Sequence, residues 1–304
     1  MTNLKKIGLT ALAGSLAATG FAQAGDLSVN GTARMEYQSS QTSATASTDS
    51  FAQTASITFS GSGELDNGHT VSFMQVVNSN ITSQSVKLDM GDMGTLSVAS
   101  LNAAGIGTIQ DMVPNGGEQP WDDIGVTGEH GTPEQGVASP HAGNRLGYST
   151  TAGGATISAA ADFNNNSATT SLAIQMPNLV EGLNIGAGIA TDQSTETVEN
   201  DIETAYISYS MGAVSVGAQT TDINVQTATS DIERNSYGIS FAVNENFSIG
   251  YGVSEVEYEA LSNDEESTGI GMSYTSGGMK IGLINNQKDN INGTAVDMEM
   301  TELQ

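Results

Sequence analysis

The chain has 304 residues, with 8 Lys and Arg against 34 Asp and Glu and a formal charge of −26, which excludes a basic surface for nucleic acid. Only 14% of residues are charged, Gly reaches 36 and Pro stops at 5, so a charged helical coat is excluded, and the many Val, Ile and Thr argue for a folded all-β chain and against disorder. The sequence contains no cysteine, which removes disulfides, thiolate metal sites and cysteine nucleophiles together.

In chain order, Lys5 and Lys6 precede an uncharged stretch from Ile7 to Phe21, and Ala22-Gln23-Ala24 supplies a small-x-small cleavage site before Gly25. Residues 1–24 therefore read as a secretory signal, leaving 25–304 as a single domain. No run of about twenty apolar residues follows, so helical membrane spans are excluded.

From Leu27 onward the side chains alternate. Leu27, Val29, Ala33, Met35 and Tyr37 interleave with Ser28, Asn30, Thr32, Arg34 and Glu36, a period of two that marks a strand with one apolar face. The pattern returns in 51–59, in 86–90 with Lys87 and Asp89 on the polar parity, in 202–210, and in Val296, Met298 and Met300 against Asp297, Glu299 and Thr301. Turn residues cut the chain into sixteen predicted strands at 27–37, 51–64, 69–77, 83–90, 95–100, 145–151, 155–163, 169–176, 183–190, 202–210, 214–221, 235–243, 247–256, 267–275, 279–285 and 294–303.

The connections alternate between tight and long. Seven are tight, such as Asp66-Asn67-Gly68, Met211-Gly212 and Ser276-Gly277-Gly278; eight are longer, at 38–50, 78–82, 101–144, 164–168, 191–201, 222–234, 257–266 and 286–293. Sixteen antiparallel strands with both termini on one side need seven turns there and eight loops opposite. A β-sandwich would also alternate, but Ala33, Ala55, Gly61, Ala187 and Ala205 stand where a protein core wants bulk. Lipid tails adapt to small residues, and a closed barrel leaves no open edge. The reading is an all-β fold: a 16-stranded antiparallel transmembrane β-barrel with short periplasmic turns.

The whole chain resembles the general trimeric porins of Gram-negative bacteria. The likeness is carried by the signal, by Gly25-Asp-Leu-Ser-Val-Asn-Gly-Thr-Ala-Arg34, by Glu64-Leu-Asp-Asn-Gly68, by Gly91-Asp-Met-Gly-Thr-Leu-Ser-Val98 leading into a long third loop, and by Asn144-Arg-Leu-Gly-Tyr-Ser149. The resemblance implies a homotrimer in the outer membrane that passes small hydrophilic solutes and ions. It also implies a third loop folded inward as a constriction, and assembly by the barrel-assembly machinery. The family ends on a terminal aromatic, where this sequence reads Thr301-Glu-Leu-Gln304; a barrel shortened by a few C-terminal residues is the expectation.

The connection 101–144 carries Asp111, Glu118, Asp122, Asp123, Glu129 and Glu134 and no Lys or Arg. A connection of that length without its own structure is usually functional. Folded inward, those carboxylates would line a pore constriction; left outside, they would be an acidic external loop. Arg34, Lys87 and Arg145 share inward parity and would face them across the lumen. In the eight long connections 20 of the 34 acids meet two bases, Arg234 and Lys288, which points to cation preference. The acidic loops could also hold loosely bound divalent cations that bridge to lipopolysaccharide phosphates; no dedicated cofactor or metal site is expected. No complete nucleophile-elbow, dinucleotide, P-loop or zincin motif occurs, and His69, His130 and His141 have no ligand spacing, so an enzyme is not expected. The alternative function is a barrel acting as an adhesin or structural anchor, with the third loop outside and the lumen plugged.

Overall fold

The computed structural model describes residues 27–99, 104–121, 124, 145–164, 167–195, 198–226 and 231–304. The signal at 1–24 and the loop residues Asp122, Asp123, Glu129, Glu134, His130 and His141 lie outside them.

Sixteen antiparallel strands close into one barrel: β1 Ser28–Thr42, β2 Thr48–Glu64, β3 Thr70–Val77, β4 Ile81–Asp89, β5 Thr95–Ala99, β6 Arg145–Ala152, β7 Ala155–Asn164, β8 Ser167–Val180, β9 Leu183–Thr195, β10 Val198–Met211, β11 Val214–Val225, β12 Ile232–Ala242, β13 Phe247–Tyr258, β14 Glu265–Ser276, β15 Met279–Asp289 and β16 Met298–Leu303. Every consecutive pair is hydrogen-bonded, and β1 also pairs with β16 from Tyr37↔Leu303 to Thr42↔Met298. All sixteen expected strands are present. Their turn ends agree within a few residues, whereas most loop ends run further than the sequence reading placed them.

The two-residue turns at 153–154, 181–182, 212–213 and 277–278 explain the sharp turn ends. Gly212 and Gly277 take φ of 60° and 58°, a region a Cβ disfavours. At the loop end the chain has no such punctuation, so the ladders continue past the expected boundaries.

The outer face follows the alternation. Phe51, Val86, Leu146, Leu172, Ile207, Ile239 and Leu283 all face outward and are exposed, and Ala33, Ala55, Ala187 and Ala205 stand among the exposed residues between them. Toward the loop end of β10 to β15 the outward positions turn acidic. Glu203 stands opposite Asp222, Asp222 opposite Glu233 and Glu233 opposite Glu257, while Glu255 opposes Glu266 and Glu266 opposes Asp289. Carboxylates directly opposed across strands destabilise a sheet in water. This belt lies beyond the apolar band, toward the loop end of the strands.

Three expectations are corrected. Arg234 and Lys288 are not in loops: they sit on β12 and β15, are 1% and 0% exposed, and point inward. In β16 the apolar parity of Met298 and Met300 is the inner one. Met300 is buried, Glu302 shares its side, and Glu299 and Leu303 are the exposed outward residues. The connection expected at 78–82 shrinks to 78–80 because β4 starts at Ile81.

Candidate functional site

The inward positions of the barrel fall into two unlike halves. From β8 to β15 they are largely covered: Ala173, Ala190, Ile202, Gln219, Arg234, Ser254, Ser267 and Asn286 are all buried. From β1 to β4 they are mostly open, with Thr32, Thr54, Ser62 and Lys87 exposed. The cover is the third loop. Its residues 104–121 cross the lumen against the inner wall.

A 3-10 turn at Gly105–Ile109 starts the crossing. The Gly105 and Ile106 amides donate to Ser158 Oγ at 2.8 Å and Ser171 Oγ at 3.2 Å. Ile106 and Ile109 are fully buried in a cluster with Ala173, Ala190, Ile202, Tyr206 and Ile223. Burying two such side chains stabilises the docked loop by about 3–6 kcal/mol on area grounds. Gln219 then clamps it from both sides, donating to the Ile109 carbonyl at 2.9 Å and accepting from the Met112 amide at 2.9 Å.

Beyond Met112 the loop lies so close to the sheet that the wall must be glycine. A Cβ on Gly238 would strike the Pro114 backbone, and one on Gly250 would strike the backbone of Gly116. Ser248 donates to the Gly116 carbonyl at 3.2 Å. Inward glycines in these strands therefore form a bed for the loop, the close-approach use of a strand glycine.

The loop's far end is tied electrostatically. Trp121, the single tryptophan, lies under the Arg234 guanidinium with 4.7 Å between the charge centre and the ring centroid, a cation–π contact. Arg234 Nε donates to Ser254 Oγ at 2.8 Å and Ser236 Oγ at 3.1 Å. Asp111 joins this node at φ 52°. Burial pushes its carboxyl up to about 6, while the Arg234 charge and hydrogen bonding to Trp121 and Gln110 pull the other way. The folded value exceeds the ordinary 3.8, so the protonated form favours the docked loop: the contribution is full below about 4 and fades as pH rises through about 6. Amide protection factors for residues 105–113 should be higher at pH 5 than at pH 7.5, and Asp111→Asn should make them pH-independent. Equal protection at both pH values in the native chain would contradict this.

Of the nine candidate constriction residues, five lie within the described residues. Glu118 reaches the opposite seam, where it accepts from Gln304 Nε2 and adds to the field at Arg34. Arg34 itself bridges Glu302 at 2.7 Å and Glu36 at 2.8 Å. Glu118 and Arg34 are thus brought together. Asp111 faces Arg234, a cation the sequence reading had assigned to a loop. Arg145 is buried at the head of β6, and Lys87 stands exposed on β4. Lys288 and Glu265, both fully buried, pair at 3.4 Å on the inner wall between β14 and β15. Arg234 and Gln219 were legible in principle, because each shares inward parity with serines, threonines and glycines on its own strand, Arg234 once β12 is extended; Glu302 gave no such signal, because its neighbours on the inner side are Met298 and Met300.

A closed barrel with an apolar outer band, a polar inner wall and a loop folded into its lumen defines an outer-membrane pore protein. The chain belongs to the Gram-negative porin family, whose model matches residues 8–295. No curated protein sequence matches it. Its fold is that of solved porins. An anion-selective porin from Comamonas acidovorans superposes with a TM-score of 0.66 at 15% identity, covering 91% of this chain and 98% of that one. A porin refined at 1.8 Å resolution gives 0.65 at 15% identity, covering 91% and 99%. A loop L8 deletion mutant of OmpT, an outer membrane protein of Vibrio cholerae, gives 0.63 at 11% identity, covering 91% and 98%. The protein is an outer-membrane porin of a Gram-negative cell.

Proposed function

We propose that this porin is a passive, cation-preferring diffusion channel for small hydrophilic solutes and ions, working as a homotrimer and not as an enzyme. The observation that carries the reading is the asymmetry of the lumen: residues 104–121 cover the inner wall of β8 to β15, whereas the hydroxyl-rich inner wall of β1 to β4 stays open to water. An adhesin or structural anchor would need the third loop outside and the lumen filled, which this arrangement disfavours. On this reading Asp111, Glu118, Asp122, Asp123, Glu129 and Glu134 set the negative side of the constriction, and Arg34, Lys87 and Arg145 the positive side.

Fold does not decide the sign of selectivity, since one structural neighbour is an anion-selective porin. Charge supports the cation reading: the chain's balance is −26, and acids gather at the loop end. Residues 1–24 serve as the export signal, with the barrel-assembly machinery and lipopolysaccharide as partners. Loosely bound divalent cations would bridge carboxylates of the acidic loops to lipopolysaccharide phosphates. Reversal potentials in a dilute KCl gradient should show cation preference. The preference should shrink toward 1 M salt, where the Debye length falls to about 3 Å. Anion preference in the dilute gradient would refute the reading.

A further inference from the structure

The open wall contains a recess of about 420 Å³ whose lining includes Ser28, Ser60, Ser62, Ser72, Ser85 and Lys87. The registers make these residues one patch. Ser28 opposes Ser60, Ser62 opposes Ser72, Ser72 opposes Lys87 and Lys87 opposes Ser97, all on inward parity. Directly opposed side chains start about 5 Å apart, so the Lys87 ammonium rises from a patch of serine hydroxyls interrupted by Met74, which opposes Ser60 and Ser85.

Lys87 differs from the other cations of the lumen. Arg34 and Lys288 are ion-paired and Arg234 is bonded to two serines and stacked on Trp121. Among the described residues Lys87 has no carboxylate within ion-pair distance, and the hydroxyls of Ser60, Ser62, Ser72 and Ser85 make no side-chain hydrogen bond. Toward the turn end the same face carries Asp89 and Glu64, opposed through Thr70. These acids repel a bare anion, so charge alone does not fill the recess. A ligand that brings one carboxylate to the ammonium and several hydroxyls to the serines replaces its lost hydration bond for bond.

We propose that this recess is a binding site for small hydroxylated carboxylates of the sugar-acid type, held with the carboxylate at Lys87 and the hydroxyls at Ser62, Ser72 and Ser85. The site rests on the channel reading and gives it a solute class. It would make the open wall a selective track for anions that can exchange water for serine hydroxyls, within a lumen unfavourable to anions that cannot.

The test is current block in planar bilayers in symmetric KCl with three probes: potassium gluconate, the neutral polyol sorbitol and the hydroxyl-free potassium hexanoate. Gluconate should block at concentrations about ten-fold below either other probe. Lys87→Met should abolish that advantage and Lys87→Arg should keep it. A Ser62→Ala/Ser72→Ala double variant should weaken gluconate block and leave hexanoate unchanged. KCl conductance of each variant reports that the pore is intact. Gluconate block equal to that of sorbitol in the native pore, or unchanged in Lys87→Met, overturns the site while leaving the channel standing. Absence of KCl conductance in the native protein overturns both.

Discussion

Excising residues 112–121 should raise single-channel conductance on the order of two-fold, because conductance follows the open cross-section of the pore. The segment removed is the part of the third loop that spans from the Gln219 clamp to the Arg234 node, and it fills space in front of β11 to β14. The barrel should survive the excision. No strand is cut, and Ile106 and Ile109 keep their cluster against β8 to β11. Gln219→Ala is the milder companion. It strands the Ile109 carbonyl and the Met112 amide, which costs about 1–3 kcal/mol per unsatisfied buried group, and should appear as flickering current with an unchanged main level. Conductance unaltered by the excision would mean that the loop does not limit the passage.

The contrast between strands and lumen shows what the sequence can carry. Strand count and turn ends were legible because a two-residue turn needs glycine or asparagine at fixed places, and because lipid enforces alternation on one face. The loop ends were less so. Glu233 and Arg234 read as loop because they are charged, yet β12 continues through them, with Glu233 facing out above the apolar band and Arg234 buried within. In β16 the period of two was right and the side wrong. Once the ladder nears the loop end, outward acids such as Glu299 no longer meet hydrocarbon, and the inner wall accepts Met300 against Gln38. Parity gave Arg34, Lys87 and Arg145 a common direction. It could not reveal that Arg34 is neutralised by its own wall, that Arg145 is buried or that Lys87 stands in a serine recess, since those depend on which partners the registers bring alongside. The glycine bed was present in the sequence as Gly238 and Gly250, but a glycine that admits a loop looks the same as one that merely turns.

Replacing Arg34 by Met should destabilise barrel closure, and adding Glu302→Met should restore most of the loss. The β1–β16 ladder pairs Tyr37 with Leu303, and Arg34, three residues below, adds a side-chain link from β1 to Glu302 on β16. Its guanidinium bonds Glu302, whose side chain is 0% exposed, while Arg34 is 39% exposed. Removing one partner of a buried pair costs about 3–5 kcal/mol. Solvent screening at the half-open arginine brings the expectation down to about 1–3 kcal/mol. Most of that cost is the uncompensated Glu302 carboxylate in a wall where Glu36 and Glu118 already add negative field, which is why the second substitution should recover it. Urea midpoints of the four species of this cycle, in detergent, measure the coupling directly. Additive losses would show that Arg34 and Glu302 act independently and that the backbone ladder alone holds the seam.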